Sequence, residues 1–83
     1  MNNKPSAHRP LHAIARDIRA NWRPVNYAAA PYLSAMASLD SVKDSFGQDS
    51  AKSIVLYFLG NATSWRGETA KAIKAELKAM LKG

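Results

Sequence analysis

No cysteine occurs in this chain. A disulfide framework, a thiolate nucleophile and a thiolate metal site are therefore excluded, and a reducing, cytoplasmic setting is the one expected. Glycine is scarce, 4 among 83 residues, and no glycine-rich phosphate loop can be assembled from it. The longest apolar run, Ile54 to Leu59, is far too short to span a bilayer. Residues 1–10 lack the apolar core of a signal peptide. No serine sits in a nucleophile elbow and no acid–base pair stands out. These absences set the first expectation: not an enzyme, with no catalytic residue and no cofactor.

Acids are also few. Six Asp and Glu face 12 Lys and Arg, a net charge of +6. The excess is uneven: residues 1–25 carry +4, residues 26–50 carry −2, and residues 51–83 carry +4. At each basic end the cations recur at helical spacing. Arg9, His12, Arg16, Arg19 and Arg23 form one stripe, and Lys71, Lys74, Lys78 and Lys82 form another. Steps of three and four stack side chains along one helix face. Two stripes of one sign predict a polyanion or an acidic protein surface as partner. The helix dipole accounts for Arg19 and Arg23 near a helix end, but it disfavours Arg9 and His12 near the start. Lysines late in a helix are favoured in any case, so the second stripe is the weaker signal.

With 83 residues the expectation is a single all-α domain, a bundle of about four helices. A domain this small leaves oligomerisation open. Residues 1–9 are expected to be a flexible tail and 10–83 the helical domain. Pro10 suits the first turn of a helix whose apolar face is Leu11, Ile14, Ala15, Ile18 and Trp22. That face lies roughly 130° from the arginines, so one side packs while the other stays wet. Pro24 ends the helix near Trp22. From Val25 to Leu39 two arrangements are open: a turn followed by a helix starting at Pro31, or one helix kinked there. The first is preferred, with Tyr32, Ala35, Met36 and Leu39 buried. Asp40 to Asp49 reads as a loop anchored by Phe46 in the core. Asp49 or Ser50 caps a third helix, with Ala51, Ile54, Val55 and Phe58 inward and Gly60-Asn61 closing it. Its apolar run alone would also suit a strand, but the flanking caps favour helix. Thr63 or Ser64 caps a last helix from Trp65 to about Leu81, buried through Ala70, Ile73, Leu77, Met80 and Leu81.

Trp22 and Trp65 each precede an arginine, and aromatic-plus-basic pairs can stack on the bases of a single strand. Trp22 falls on the apolar face and is assigned to the core. Trp65 is off its helix's stripe; it stays open between packing and contact, and with Arg66 joins the candidate partner-binding residues. Other motifs fail on spacing. His8 and His12 are four apart, but Pro10 lies between them and no nearby acid completes a metal site. Asp40, Asp44 and Asp49 miss the calcium-loop pattern, because Phe46 stands where a ligand should. A helix-turn-helix pivoting on Gly60 would turn Asn61 and Arg66 inward. Glu68, Glu76 and the many alanines of the last helix argue against an interfacial membrane helix, so no membrane partner is expected.

The segments Ile14 to Trp22, Pro31 to Met36 and Tyr57 to Glu68 resemble those of small uncharacterised proteins encoded on bacterial plasmids, phages and integrative elements. The resemblance implies a role in mobile-element biology: handling nucleic acid, regulation, or blocking a host defence in the manner of an anti-CRISPR. Many defence inhibitors are acidic mimics of DNA, and a chain of +6 departs from that pattern. Two expectations follow. One is a binder of DNA or RNA through both stripes. The other is a protein-interaction module that inhibits a nucleic-acid-processing or host-defence complex by covering an acidic surface, using Trp65, Arg66 and the acidic loop.

Overall fold

A computed structural model describes residues 8–82. The chain runs α1 (Leu11–Asn21), α2 (Ala30–Met36), β1 (Ser45–Phe46), β2 (Asp49–Ser50), α3 (Ala51–Gly60) and α4 (Glu68–Lys82). The fold is a small, mostly α domain of four helices. Helix α1 packs against α2 and α4, and α3 packs against the same two, so the helices form a ring around one core. None of the described helices is long and apolar enough to cross a membrane.

Two of the helices follow their sequence pattern closely. In α1 the buried residues are Leu11, Ile14, Ala15 and Ile18. In α3 they are Ala51, Ile54, Val55 and Phe58. Ser50 is the α3 cap, its hydroxyl accepting from the Ser53 N–H at 3.0 Å, which satisfies one of the helix's orphan donors. At the other end no left-handed residue appears. Asn61 closes α3 instead with its backbone N–H on the Phe58 carbonyl and its side-chain amide on the Tyr57 carbonyl, 2.8 Å.

Helix α1 has no side-chain cap at its start. Its first donors are satisfied from a distance: Leu11 N–H donates to the Asp40 carbonyl and His12 N–H to the Leu39 carbonyl, both at 2.9 Å. The segment that closes α2 thus caps α1. Asn26 organises the turn before α2, its side-chain oxygen accepting from Ala28 N–H at 2.8 Å and its carbonyl from the N–H groups of Ala29 and Ala30. Pro31 lies in the first turn of α2, where its missing N–H costs nothing. Leu33 joins Ala35, Met36 and Leu39 in the core, while Tyr32 is only partly buried.

Two expectations fail here. Phe46 does not anchor its loop in the core: it is 47% exposed. Residues 45–50 form a minimal antiparallel hairpin, Phe46 opposite Asp49, turning through Gly47 at φ +63°. Two-residue strands with no layer packed over them leave both faces wet. The last helix also begins later than Trp65, at Glu68. Gly67 sits at φ +112°, a conformation that side-chain-bearing residues avoid, and it breaks the chain direction between Trp65 and α4. Released from the helix, Trp65 turns inward. It is 4% exposed and stacks on Trp22 with ring centroids 5.5 Å apart and planes 12° from parallel. Trp22 in turn meets Phe58 edge-on at 6.3 Å.

Candidate polyanion-binding surface

The arginine stripe of α1 divides into a structural part and an exposed part. Arg9, expected in the tail, is pinned. Its Nε and Nη2 donate to the two carboxylate oxygens of Glu76 in α4, at 2.9 and 2.8 Å. Its Nη1 pairs with Asp17. Both carboxylates, Glu76 foremost, hold the guanidinium charged and raise its pKa further. Bidentate pairing of this kind fixes orientation as well as charge. His12 is also engaged, its Nε2 standing 3.2 Å from a carboxylate oxygen of Asp40.

Arg16, Arg19 and Arg23 are exposed. Among the described residues none of them has a carboxylate partner. Arg19 donates to the Ser34 hydroxyl at 3.0 Å, which aims it along the α1–α2 side. A shallow depression there is lined by His12, Arg16, Arg19 and Ala37. A guanidinium satisfied by one neutral hydroxyl keeps most of its donors for an incoming anion.

The lysine stripe of α4 has a different environment. Lys71, Lys78 and Lys82 are exposed, and Lys74 is half-buried. Lys74 donates to the Trp65 carbonyl at 2.6 Å, tying α4 to the turn before it. Partial burial, then repulsion from Lys78 and Arg66, lowers the pKa of Lys74. Arg66 is exposed beside Lys71 and Lys74, around a depression that Thr63, Trp65, Gly67 and Glu68 complete. At the far end of α4, Lys82 lies with Lys43 and Lys52 around Val42, Met80 and Leu81. Lys43 and Lys52 stand outside both sequence stripes, and only tertiary packing brings them to Lys82. Trp65 is withdrawn as a contact residue, since its ring is enclosed in the core.

Helices α1 and α4 do lie side by side, yet their stripes do not merge. Arg9, Asp17 and Glu76 occupy the seam between them. On α1 the seam residue Asp17 lies about 120° round the axis from the centre of the arginine stripe. On α4, Glu76 lies about 150° from the centre of the lysine stripe. Each helix therefore turns an acid toward its neighbour and its cations away. The result is two basic patches on different faces.

The residues proposed for a protein-contact role in the acidic loop have internal partners. The Asp44 carboxylate accepts the N–H groups of Asp40 at 2.8 Å and Ser41 at 3.0 Å. The Ser41 bond first, then that of Asp40, lowers its pKa. No group of three or more potential metal ligands occurs among the described residues. Comparison with protein families, curated proteins and solved structures finds no match to this chain.

Proposed function

We propose that the protein binds nucleic acid, without catalysis, by laying the outer face of α1 along a phosphate backbone. The observation that carries this reading is the set Arg16, Arg19 and Arg23: exposed, and without a carboxylate partner among the described residues. Arg16 and Arg19 lie about one turn apart on α1, roughly 4.5 Å along its axis, and Arg23 follows two residues beyond the helix, after the extended Trp22. Phosphate contacts of this kind position a protein without reading sequence. The lysine patch of α4, with Arg66, is a second and weaker electrostatic surface, able to engage another segment of the same polyanion.

Single-strand binders need exposed aromatic platforms among their cations. The two tryptophans that sit beside arginines in sequence stack on each other, Trp65 buried and Trp22 partly buried, whereas Tyr27, four residues after Arg23, is 89% exposed; the preferred strand form is therefore a result of the test.

The test is fluorescence anisotropy with labelled duplex DNA, duplex RNA and single-stranded DNA across a salt series. Three phosphates neutralised give a log–log slope near −3, since each contributes about −0.9 on B-DNA. Reversing Arg16 and Arg19 to Glu should abolish binding with the circular dichroism unchanged. No binding at low salt, or binding indifferent to that double reversal, would overturn the reading. Capture of an acidic protein that survives nuclease treatment would then favour the alternative of an inhibitory protein-interaction module.

A further inference from the structure

Helix α3 carries a single charge, the exposed Lys52 in its first turn, and the rest of its outer face is uncharged. Its inward face is Ala51, Ile54, Val55 and Phe58, and its outward face still carries Leu56 and Tyr57, 52% and 54% exposed. Tyr57 rests against Tyr32 of α2, ring centroids 5.5 Å apart. Gly60 ends the same row, and a Cβ built there would meet nothing within 4 Å. A surface helix ordinarily turns polar and charged residues to solvent, as α4 does with its lysines. We propose that this outer face of α3 docks a second copy of the chain, α3 against α3, antiparallel across a two-fold axis at Leu56.

Charge selects the occupant. A chain of +6 resists self-association wherever its cations would face each other, and α3 contributes to the basic surface only Lys52, in its first turn beside Lys43 and Lys82. From Ser53 to Gly60 the row bears no charge at all, so it offers a polyanion nothing to bind. The row is also self-complementary. Lys52, Leu56 and Gly60 follow at steps of four, and a two-fold axis at Leu56 sets Lys52 of each copy opposite Gly60 of the other. The open space at Gly60 receives the lysine stem. Its ammonium then meets the negative C-terminal end of the partner helix, which has no basic residue in its own last turn. Interlocking rows at steps of four pack helices at about −50°. The two Lys52 ammonium groups stay about 12 Å apart along the axis, so the contact adds attraction at both ends without repulsion at its centre.

The inference is independent of nucleic-acid binding. Because the chain has no cysteine, Leu56→Cys installs a single thiol on the axis. Mild oxidation of the full-length protein should give a disulfide dimer, since residues on such an axis approach within the ~4.4–6.8 Å between Cα atoms that a disulfide needs. Ala72→Cys, on the exposed side of α4, should not cross-link. Sedimentation equilibrium of the unsubstituted chain should show a reversible dimer below about 1 mM, weak because one helix pair is less than a standard interface. Leu56→Asp should weaken it at least ~10-fold, about 1.4 kcal/mol, with the helical content retained, while the Arg16/Arg19 reversal leaves it intact. A monomer throughout that range overturns the proposal. So does a dimer indifferent to Leu56→Asp, or cross-linking as efficient through A72C as through L56C.

Discussion

The stripes on α1 and α4 look alike in sequence, a cation every three or four residues, and the structure gives them different occupations. On α1, Arg9 and His12 are tied to carboxylates while Arg16, Arg19 and Arg23 remain exposed. On α4 the engaged member is Lys74, and its partner is a backbone carbonyl rather than an acid. The difference teaches that periodicity identifies a face, but the neighbouring elements decide which of its charges are left to act. The exposed part of the α1 stripe ends in guanidinium forks suited to phosphate, whereas the α4 stripe ends in hydrated point charges.

The largest effect expected bears on neighbours in sequence, Trp65 and Arg66, both candidates for contact before the fold is considered. Trp65→Ala removes an enclosed ring and should destabilise the domain by about 3–5 kcal/mol, read as a lower urea midpoint or outright unfolding. Arg66→Ala should stay within about 0.5 kcal/mol of the parent. A Trp65→Ala variant with unchanged stability but impaired binding would return Trp65 to the contact surface. Next in size is the contrast between stripes. Reversal of Arg16 and Arg19 to Glu should abolish duplex binding at moderate salt, and reversal of Lys78 and Lys82 should only weaken it. Equal losses would mean that both patches carry the interaction.

A smaller effect tests the seam. Glu76→Gln removes one acid from Arg9, whose side chain is 39% exposed beside a 27% exposed Glu76. Solvent screening limits the stability loss to about 1 kcal/mol. The same change leaves Arg9 with Asp17 as its one carboxylate partner and removes a negative charge from the seam. Duplex binding should therefore tighten modestly while the melting temperature falls. Moving both in the same direction would show that Arg9 serves only the fold.

The helical core was largely legible. In α1, apolar residues at steps of three and four mark the buried face, and in α3, where the continuous apolar run alone also suits a strand, the flanking caps decide for helix, with a serine supplying the first. Leu33 was not singled out, because a seven-residue helix interrupted near its start by proline offers less than two turns of pattern. The start of α4 is hidden in the sequence, because a glycine at φ +112° looks there like any other glycine. Both stripes were legible as stripes. Arg9's removal from the exposed set was not, because its partner Glu76 lies 67 residues away, and no local pattern encodes that contact. Lys43 and Lys52 escaped notice for the same reason: they reach Lys82 only through packing.

The smallest effect separates the acids that hold the fold from the cations left to bind. Asp44 accepts the Asp40 and Ser41 N–H groups, and those bonds favour its ionised form, so its folded pKa lies below the ordinary 3.8. A carboxylate depressed in this way contributes stability that is complete above the unfolded value. The contribution is lost as pH falls through the folded value. The local consequence reaches α1, since Asp40 also offers its carbonyl to the Leu11 N–H and its carboxylate to His12. Acidification should therefore shift the Asp40 and Ser41 amide resonances and lower their hydrogen-exchange protection, relative to the intrinsic rate at each pH, before the core of α3 opens. Asp44→Asn, which keeps an acceptor but removes the titrating group, should abolish the pH-dependent step at those two amides. Persistence of that step in the variant would assign it to Asp40 and its His12 partner instead. Asp44 bonds to the Asp40 and Ser41 N–H groups and to none of Arg16, Arg19 or Arg23, so phosphate binding should not share the transition.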